Sequence, residues 1–580
     1  MTAVDGRGAP RAVSNLVVLL GLIVLSLLAG PSGAAPVCPP ATDDFGTFYR
    51  DAAPFEKAIA RVADFEPSNV RLSGITVPHH LVADHLVALG FRAASGFAYK
   101  RIVVLSPDHF FQAGKMFATT RRGFQTVFGP VATDVDAVGK LLEGHGFIEE
   151  SCLFGKEHGV AAMLPFLKHY FPSATILPVA ISIKAGRRDW DRMADALLPL
   201  IDKDTLIVES TDFSHYLPQS VARGFDQQTL NIVASGSLDQ IAMLRQPDHA
   251  DSVGALYIQT KLQNLLFGAA PLVIANENMQ QYSSGFVQET TSYLVILFGR
   301  FDSAFNSPVT GREHIVYIAG DTLFGRAMAP LLTDELSGKR VEAEILSRTR
   351  SRPLVVNLEG VILPNVPEGL DHMTLAMPED LTIDWLKRLH VVGVGLANNH
   401  AMDLGPTGYA ETLRALSEAG IAFFGQGEVL ELPGLDVVGL TDIGANGSSA
   451  LNLMTPELLD RLIRPNAERP VVAMVHWGRE YDPTPGARET MLSDQMRLRS
   501  VSAIVGGHPH VASAGLKAPA GGEMLELYSL GNFLFDQTAG RSSGSMLEVR
   551  VFEQGTFFAR SIPLPNLFDT ATGRAPPQQP

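Results

Sequence analysis

Cysteine is almost absent from this 580-residue chain: Cys38 and Cys152 are its only two. They cannot supply a four-thiolate zinc site within one chain, and they form no disulfide framework, although an exported protein can join them. Any metal must therefore be held mainly by histidine, aspartate, glutamate and asparagine. Positive charge is also scarce: 46 lysines and arginines stand against 61 aspartates and glutamates, a net charge of −15. That argues against a nucleic-acid partner held by phosphate neutralisation. It leaves room for an anionic substrate held through a metal, which brings its own charge. Apolar residues make up 46% and charged residues 18% of the chain, which fits a globular protein. Coiled-coil heptads and short-period repeats are both missing.

The long apolar run sits at the N-terminus. Arg7 and Arg11 precede the stretch from Leu16 to Leu28, and Ser32-Gly33-Ala34 and Gly33-Ala34-Ala35 are small-residue cleavage sites. Residues 1–35 read as a signal peptide or, uncleaved, as an N-terminal anchor. The run is shorter than the roughly 20 residues a spanning helix needs. The chain is expected in the periplasm or outside the cell, anchored to the membrane if the segment is kept.

At this length two large domains are expected. Residues 36–300 are read as the first, with a lead-in of prolines and small polar residues over 36–60. Strand-like runs include 101–105, 174–180, 205–208 and 292–297, and Val160, Met163, Leu164 and Leu167 share one helical face. Residues 301–312, polar and carrying Pro308 and Gly311, are read as a linker. A second alternating series fills 313–566, with strand-like runs at 314–319, 354–356, 391–396, 471–475 and 502–505. A helix starts near Pro406, buries Ala410, Leu413 and Leu416, and stops at Gly420. Residues 567–580 are expected to be a disordered tail. Strands alternating with helices imply an α/β layered architecture in both halves.

What the chain does have is histidine and its companions just after strand-like runs. In open α/β sheets ligands bind outside the carboxyl ends of the strands. In the second half these ends carry Asp321 with Arg326 nearby, Glu359, Asn398-Asn399-His400 with Asp403, His476, His508-Pro509-His510 and Asn532. Proline disfavours helix for the residue before it, so His508 and His510 are expected in an extended segment, sharing one face. Asp321, Glu359, Asn399 and the three histidines are enough ligands for two divalent ions, which activate water for an in-line displacement.

The ordered set Gly-Asp, Asn-Leu-Glu, Asn-Asn-His…Asp-Leu-Gly, His-Trp-Gly-x-Glu-Tyr, Gly-His-Pro-His-Val and Tyr-Ser-Leu-Gly-Asn-Phe resembles the bacterial capsule-synthesis CapA family over about residues 312–565. That poly-γ-glutamate-associated family is related to calcineurin-like metallophosphatases. The resemblance implies a four-layer α/β/β/α fold. It marks Asp321, Glu359, Asn399, His476, His508 and His510 as metal ligands, His400 as the general acid, and Asn398 as part of the catalytic motif. The related phosphatases open with Asp-x-His, whereas Asp321-Thr322-Leu323 carries no histidine.

The first half has its own strand-end set: His79, Asp108-His109, His158, and Asp212 with His215. His79, His109 and His215 can form a facial site for iron or a similar ion, with Asp212 close by. His158 is a candidate acid or base. Equally, these histidines can simply cap strands. Pro-His, Ser-Pro-x-His, Glu-His-Gly…Leu-Pro-Phe-Leu and Ser-Thr-Asp-Phe-Ser-His-Tyr resemble the Memo family, also called AmmeMemoRadiSam system protein B, over about residues 68–300. Its fold is similar to that of extradiol dioxygenases, and it implies a late cysteine; residues 251–254 contain none.

The expected activity is metal-dependent hydrolysis or transfer at a phosphoester or amide, linked to poly-γ-glutamate or another surface polymer. Manganese, iron or zinc would serve the second half and iron the first. The expected partners are an anionic polymer or a small phosphoester or amide, together with membrane-bound synthase components. Two alternatives stand beside this: a non-catalytic polymer-binding part of a capsule assembly machine, and redox chemistry at the first-half site.

Overall fold

A computed structural model of the chain describes residues 43–302, 305–444, 451–463 and 469–574. The targeting segment, Cys38, part of the linker and residues 575–580 lie outside these. Among the described residues no helix is long and apolar enough to cross a membrane.

The N-terminal half is built on a sheet of nine described strands. Its centre is parallel: Leu72–Val77 pairs Thr205–Ser210, which pairs Arg101–Pro107, which pairs Thr175–Ile181. These strands are buried almost throughout, as parallel strands covered on both faces must be. Side-chain alternation sends Ile75 and Val77 toward helix Asp84–Ala94, where they crowd Gly90, and leaves Gly74 under Gln259 and Gln263 on the other face. The expected lead-in is partly ordered. Helix Ala53–Arg61 buries Phe55, whose ring meets Phe166 edge-on at 5.3 Å. The apolar pair Phe55 and Ala58 at i, i+3 is what docks it.

The C-terminal half has two facing sheets. One runs Ala422–Phe424, Val391–Gly395, Leu354–Leu358, Glu313–Thr322, Gly544–Phe552, Phe557–Leu564, with Asn532–Leu534 beside Glu313–Thr322. The other runs Val429–Leu432, Leu435–Thr441, Val471–His476, Ala503–Gly507, Leu525–Leu527. The layers follow from period-2 alternation. In Glu313–Thr322, Val316 and Ile318 pack between the sheets, while Ile315, Tyr317 and Ala319 pack against helices. In Val471–His476, Val472 and Met474 face inward, while Val471, Ala473 and Val475 meet the helices of the opposite side. The result is helix, sheet, sheet, helix.

The helix after strand Val391–Gly395 is Gly405–Ala419, ended by left-handed Gly420. Its buried face is Tyr409, Thr412, Ala415 and Leu416; Ala410 is exposed and Leu413 half-buried, so the face is rotated from the expected one. The tail expected to be disordered is instead helical over Leu567–Thr572. Asn566 caps it, Leu567 and Ala571 bury one face, and Gly573 ends it.

The two halves meet through helix Gln219–Ser235 and the hairpin Gly544–Phe552/Phe557–Leu564. Gln227 brackets Phe557, accepting from its N–H at 2.9 Å and donating to its carbonyl at 3.0 Å. At the hairpin turn, Thr556 Oγ1 donates to Asn276 Oδ1 at 2.6 Å, and Gln554 also bonds Asn276.

Candidate metal centres at the strand ends

Parallel register lines up the chemistry of the C-terminal half. Asp321 pairs with Asn357 and with Asn532, Asn357 with Gly395, and His476 with Gly507. The ends of both sheets therefore converge. The approach is close enough to demand glycine: a Cβ on Gly507 would sit 2.6 Å from Asp321 Oδ1.

Two donor sets result, and they share Glu359: Asp321, Glu359 and His510, and Glu359, His476 and His508. Within each, one ligand atom per residue lies within 4.8 Å of the others. Glu359 is fully buried and neither of its oxygens makes a hydrogen bond among the described residues. His476 Nε2 lies 3.5 Å away. An isolated buried carboxylate is costly, so this donor set suits cations. Asn399 belongs here too, its Oδ1 2.7 Å from His476 Nε2.

Around them runs an orienting shell. Asp321 accepts from Asn357 Nδ2 at 2.8 Å and from His508 N–H at 3.0 Å. His510 Nδ1 meets Asn532 Oδ1 at 2.7 Å. The His-Pro-His segment is not extended as expected. His508 has φ +92° and His510 φ +57°, both left-handed. Such strain persists only where surroundings over-determine it, here through the His508 amide on Asp321. The turn deals the two imidazoles to different donor sets instead of one.

Protonation follows the same layout. Burial would raise Asp321, but the His510 hydrogen bond and the charges of His510 and His476 hold it below the usual carboxylate range. Burial would lower His510, but its bond to Asp321 and the Glu359 charge push it up to about 9. Burial and then His476 bring His508 down to about 4, a neutral ring with a free lone pair.

His400 stands at the rim, Nδ1 2.8 Å from Asp403 Oδ2. Burial lowers its pKa, but the Asp403 bond and the Glu359 charge raise it on balance. Asn398, expected among the catalytic residues, is fully buried with its amide spent. It donates to Asn357 Oδ1 at 3.1 Å and Leu358 O at 2.8 Å, and accepts from His400 N–H at 3.1 Å. Its side chain is thus committed to holding the Asn357, Leu358 and His400 segments together. Arg326 is likewise committed, forked onto Asp536 and bonded to His372 O at 3.0 Å.

The N-terminal half gathers a different cluster. His79, His109 and His158 form one donor set, and His79, Asp212 and Asp251 a second. Of the expected trio, His79 and His109 share a donor set; His215 is in neither set, its Nε2 4.0 Å from Asp212 Oδ2 on strand Phe213–Leu217, which pairs with Thr290–Gly299. His158, expected as an acid or base, instead leans on His109 with ring centres 4.0 Å apart. Burial and the charges of His109 and His79 bring it down to about 4. Glu157 anchors His109, accepting from Nδ1 at 2.6 Å and from its N–H at 3.0 Å. Ser210 Oγ donates to Gly159 O at 2.6 Å, so it accepts from His79 Nδ1 at 3.2 Å and leaves Nε2 facing the cluster.

Asp251 is the residue that sequence reasoning missed. Its Oδ2 lies 3.1 Å from His79 Nε2 and 3.5 Å from His109 Nε2, yet without hydrogen-bond geometry, and both oxygens are buried. It falls in the stretch 251–254 noted only for lacking cysteine. Its local context, just before the Ser252 cap of helix Val253–Leu262, is that of a helix start.

Comparisons with known proteins follow the same division. The Memo-like protein family matches residues 44–281, and the bacterial capsule synthesis protein PGA_cap family matches 315–433 and 449–537. The capsule biosynthesis protein CapA of Bacillus anthracis is 32% identical over 208 residues, 32% of this chain and 50% of that protein. The PGA biosynthesis protein CapA of Bacillus subtilis is 31% identical over 182 residues, 28% of this chain and 47% of that protein. The chain thus spans about half the length of these capsule relatives. A MEMO1 family protein of Pyrobaculum arsenaticum is 25% identical over 242 residues, 39% of this chain and 83% of that protein. The chain carries a Memo-like domain on its N-terminal side and a capsule-synthesis PGA_cap domain on its C-terminal side.

Proposed function

We propose that the protein is an exported, metal-dependent hydrolase or transferase acting on a phosphoester or amide bond in the making of an anionic surface polymer of the poly-γ-glutamate type. The observation that carries the reading is Glu359, buried, without a hydrogen bond among the described residues and common to two donor sets. Asp321 and His510 would hold one divalent ion with it, and His476, His508 and Asn399 a second. Bound there, such ions supply Lewis acidity and an activated water. His400, kept protonated by Asp403, gives its proton to the leaving atom. Asn398 fixes the His400 backbone and so the reach of that proton. The names of the capsule relatives support the polymer class. A disulfide at Cys152 suits an oxidising compartment.

Elemental analysis of the full chain tests the site: about two equivalents of divalent metal are expected in the C-terminal domain, lost in a His508→Ala/His510→Ala variant. Unchanged metal in that variant removes the site. Assay of the loaded protein on a phosphodiester and on γ-linked glutamate oligomers tests the reaction. Binding of the oligomer without turnover would leave a polymer-holding role instead.

A further inference from the structure

A cleft of about 330 Å³ opens beside the C-terminal centre, and His400, His510, Glu480 and Arg541 are among the residues that line it. Its frame is pinned. Arg326 is spent on Asp536, and Asn532 Nδ2 donates to Gln537 Oε1 at 3.0 Å, which ties Gln537 to His510. Gln537 Nε2 reaches Tyr481 Oη at 3.4 Å, and Tyr481 is held at φ +65°. Strain of that kind in a bulky residue marks a position the surroundings dictate. Among the described residues lining this cleft, Arg541 is exposed and its guanidinium makes no ion pair or side-chain hydrogen bond, Arg326 is neutralised by Asp536, and Glu480 is a further carboxylate on the lining. On a chain of net charge −15, a guanidinium without a partner in a polar cleft beside the donor sets is placed to receive an anion.

We infer that Arg541 selects substrates bearing a second anionic group, a carboxylate or phosphate, set apart from the bond that reacts at the Glu359 centre. The bond to be broken lies at His400 and His510, and the distal anion extends across the cleft to the guanidinium fork. This rests on the reading of the centre as a place where substrate binds, and it adds the class: a dianionic acyl or phosphoryl compound in place of a simple ester. It also gives a polymer direction, since one repeat's free anion is read while its neighbour's linkage is presented.

Calorimetric titration of the full chain with tri-γ-glutamate, and separately with a soluble phosphomonoester, tests the receptor without requiring turnover. Arg541→Ala should weaken the preferred anion roughly tenfold or more, Arg541→Glu further, and Arg541→Lys less. The arm showing the loss names carboxylate or phosphate as the source. An analogue of tri-γ-glutamate with every free carboxylate converted to the carboxamide should bind the same to wild type and variants. Equal affinity of wild type and Arg541→Ala for both anions, or an equal loss for the neutral analogue, overturns the inference. If anion binding depends on Arg541 but no bond is cleaved or transferred, the catalytic reading fails and the receptor stands. If turnover proceeds with KM unaltered in Arg541→Ala, the receptor fails and the catalytic reading stands.

Discussion

In the C-terminal domain the residue common to both donor sets is a carboxylate, Glu359; in the N-terminal domain it is an imidazole, His79. A carboxylate offers two oxygens and can join two cations. His79 has given Nδ1 to Ser210 and keeps one nitrogen for the cluster, so it can serve one cation. Both centres hold a carboxylate whose oxygens are buried, Glu359 beside His476 in one and Asp251 beside His79 and His109 in the other. Similar strand-end chemistry thus offers a shared two-oxygen donor in one half and a shared one-nitrogen donor in the other, according to which residue occupies the middle. Each cluster has a histidine tied to a carboxylate of its own, His400 to Asp403 at the rim of the C-terminal sets and His109 to Glu157 within the N-terminal one.

The sharpest way to break this comparison is to remove the two middle carboxylates in turn. Glu359→Gln should lose both metals of the C-terminal centre together, with a larger drop in affinity than the roughly 10–100-fold cost of losing an outer partner. Asp251→Asn should weaken one equivalent at the N-terminal centre alone. Loss of a single ion in Glu359→Gln, seen by metal titration, would end the sharing. Next in size is the proton donor. His400→Gln should slow turnover by roughly 10²–10⁴-fold while metal content holds. His400 sits above its ordinary 6.5, so the active protonated form persists to higher pH and activity falls as pH rises through that raised value. Asp403→Asn should move this alkaline limb to lower pH in a rate profile.

Glu209 sharpens the contrast from behind the N-terminal centre. Burial pushes it up to about 8, and Thr76 Oγ1 donates to it at 2.6 Å. Its folded pKa lies above its unfolded one, so the folded state holds the extra proton. The stability it contributes is full below the ordinary carboxylate range and lost as pH rises toward 8. Glu209→Gln should therefore match wild type near pH 5 and melt higher at pH 8, a gap on the order of a few kcal/mol. A gap that is the same at both pH values would contradict this. The smallest effect is expected at the seam. Gln554→Ala with Thr556→Val leaves Asn276 without two partners and should cost about 1–3 kcal/mol in denaturant unfolding. The two domains should still melt as one; separate transitions would show that the seam couples them less than its contacts suggest.

Much of this was legible in the chain. Apolar runs ending in Gly-Asp, Asn-Leu-Glu or Gly-Gly-His place side chains at carboxyl ends of strands, because period-2 burial fixes where a strand runs and its polar residue marks where it stops. Asp321, Glu359, His476, His508 and His510 were found this way. The layered α/β fold was equally legible. Three things were not. Asp251 sits between a loop and a helix cap, with no pattern to flag it. Asn398 carries the same amide as Asn399 beside it, yet one is spent inside and the other meets His476. His215 has the right residue type, but it falls in neither donor set and lies 4.0 Å from Asp212.

Residue order along the chain determined which kinds of ligand end each strand, since hydrophobic alternation and punctuation act locally. The tertiary structure decided how those ligands are shared. The left-handed turn at His508 and His510, the convergence of two sheets over Gly507 and the sideways entry of Asp251 arise from contacts between residues far apart in sequence. Those contacts are set by packing, and packing is what makes Glu359 common to two donor sets and brings Arg541 into the lining of the cleft that His400 and His510 also line.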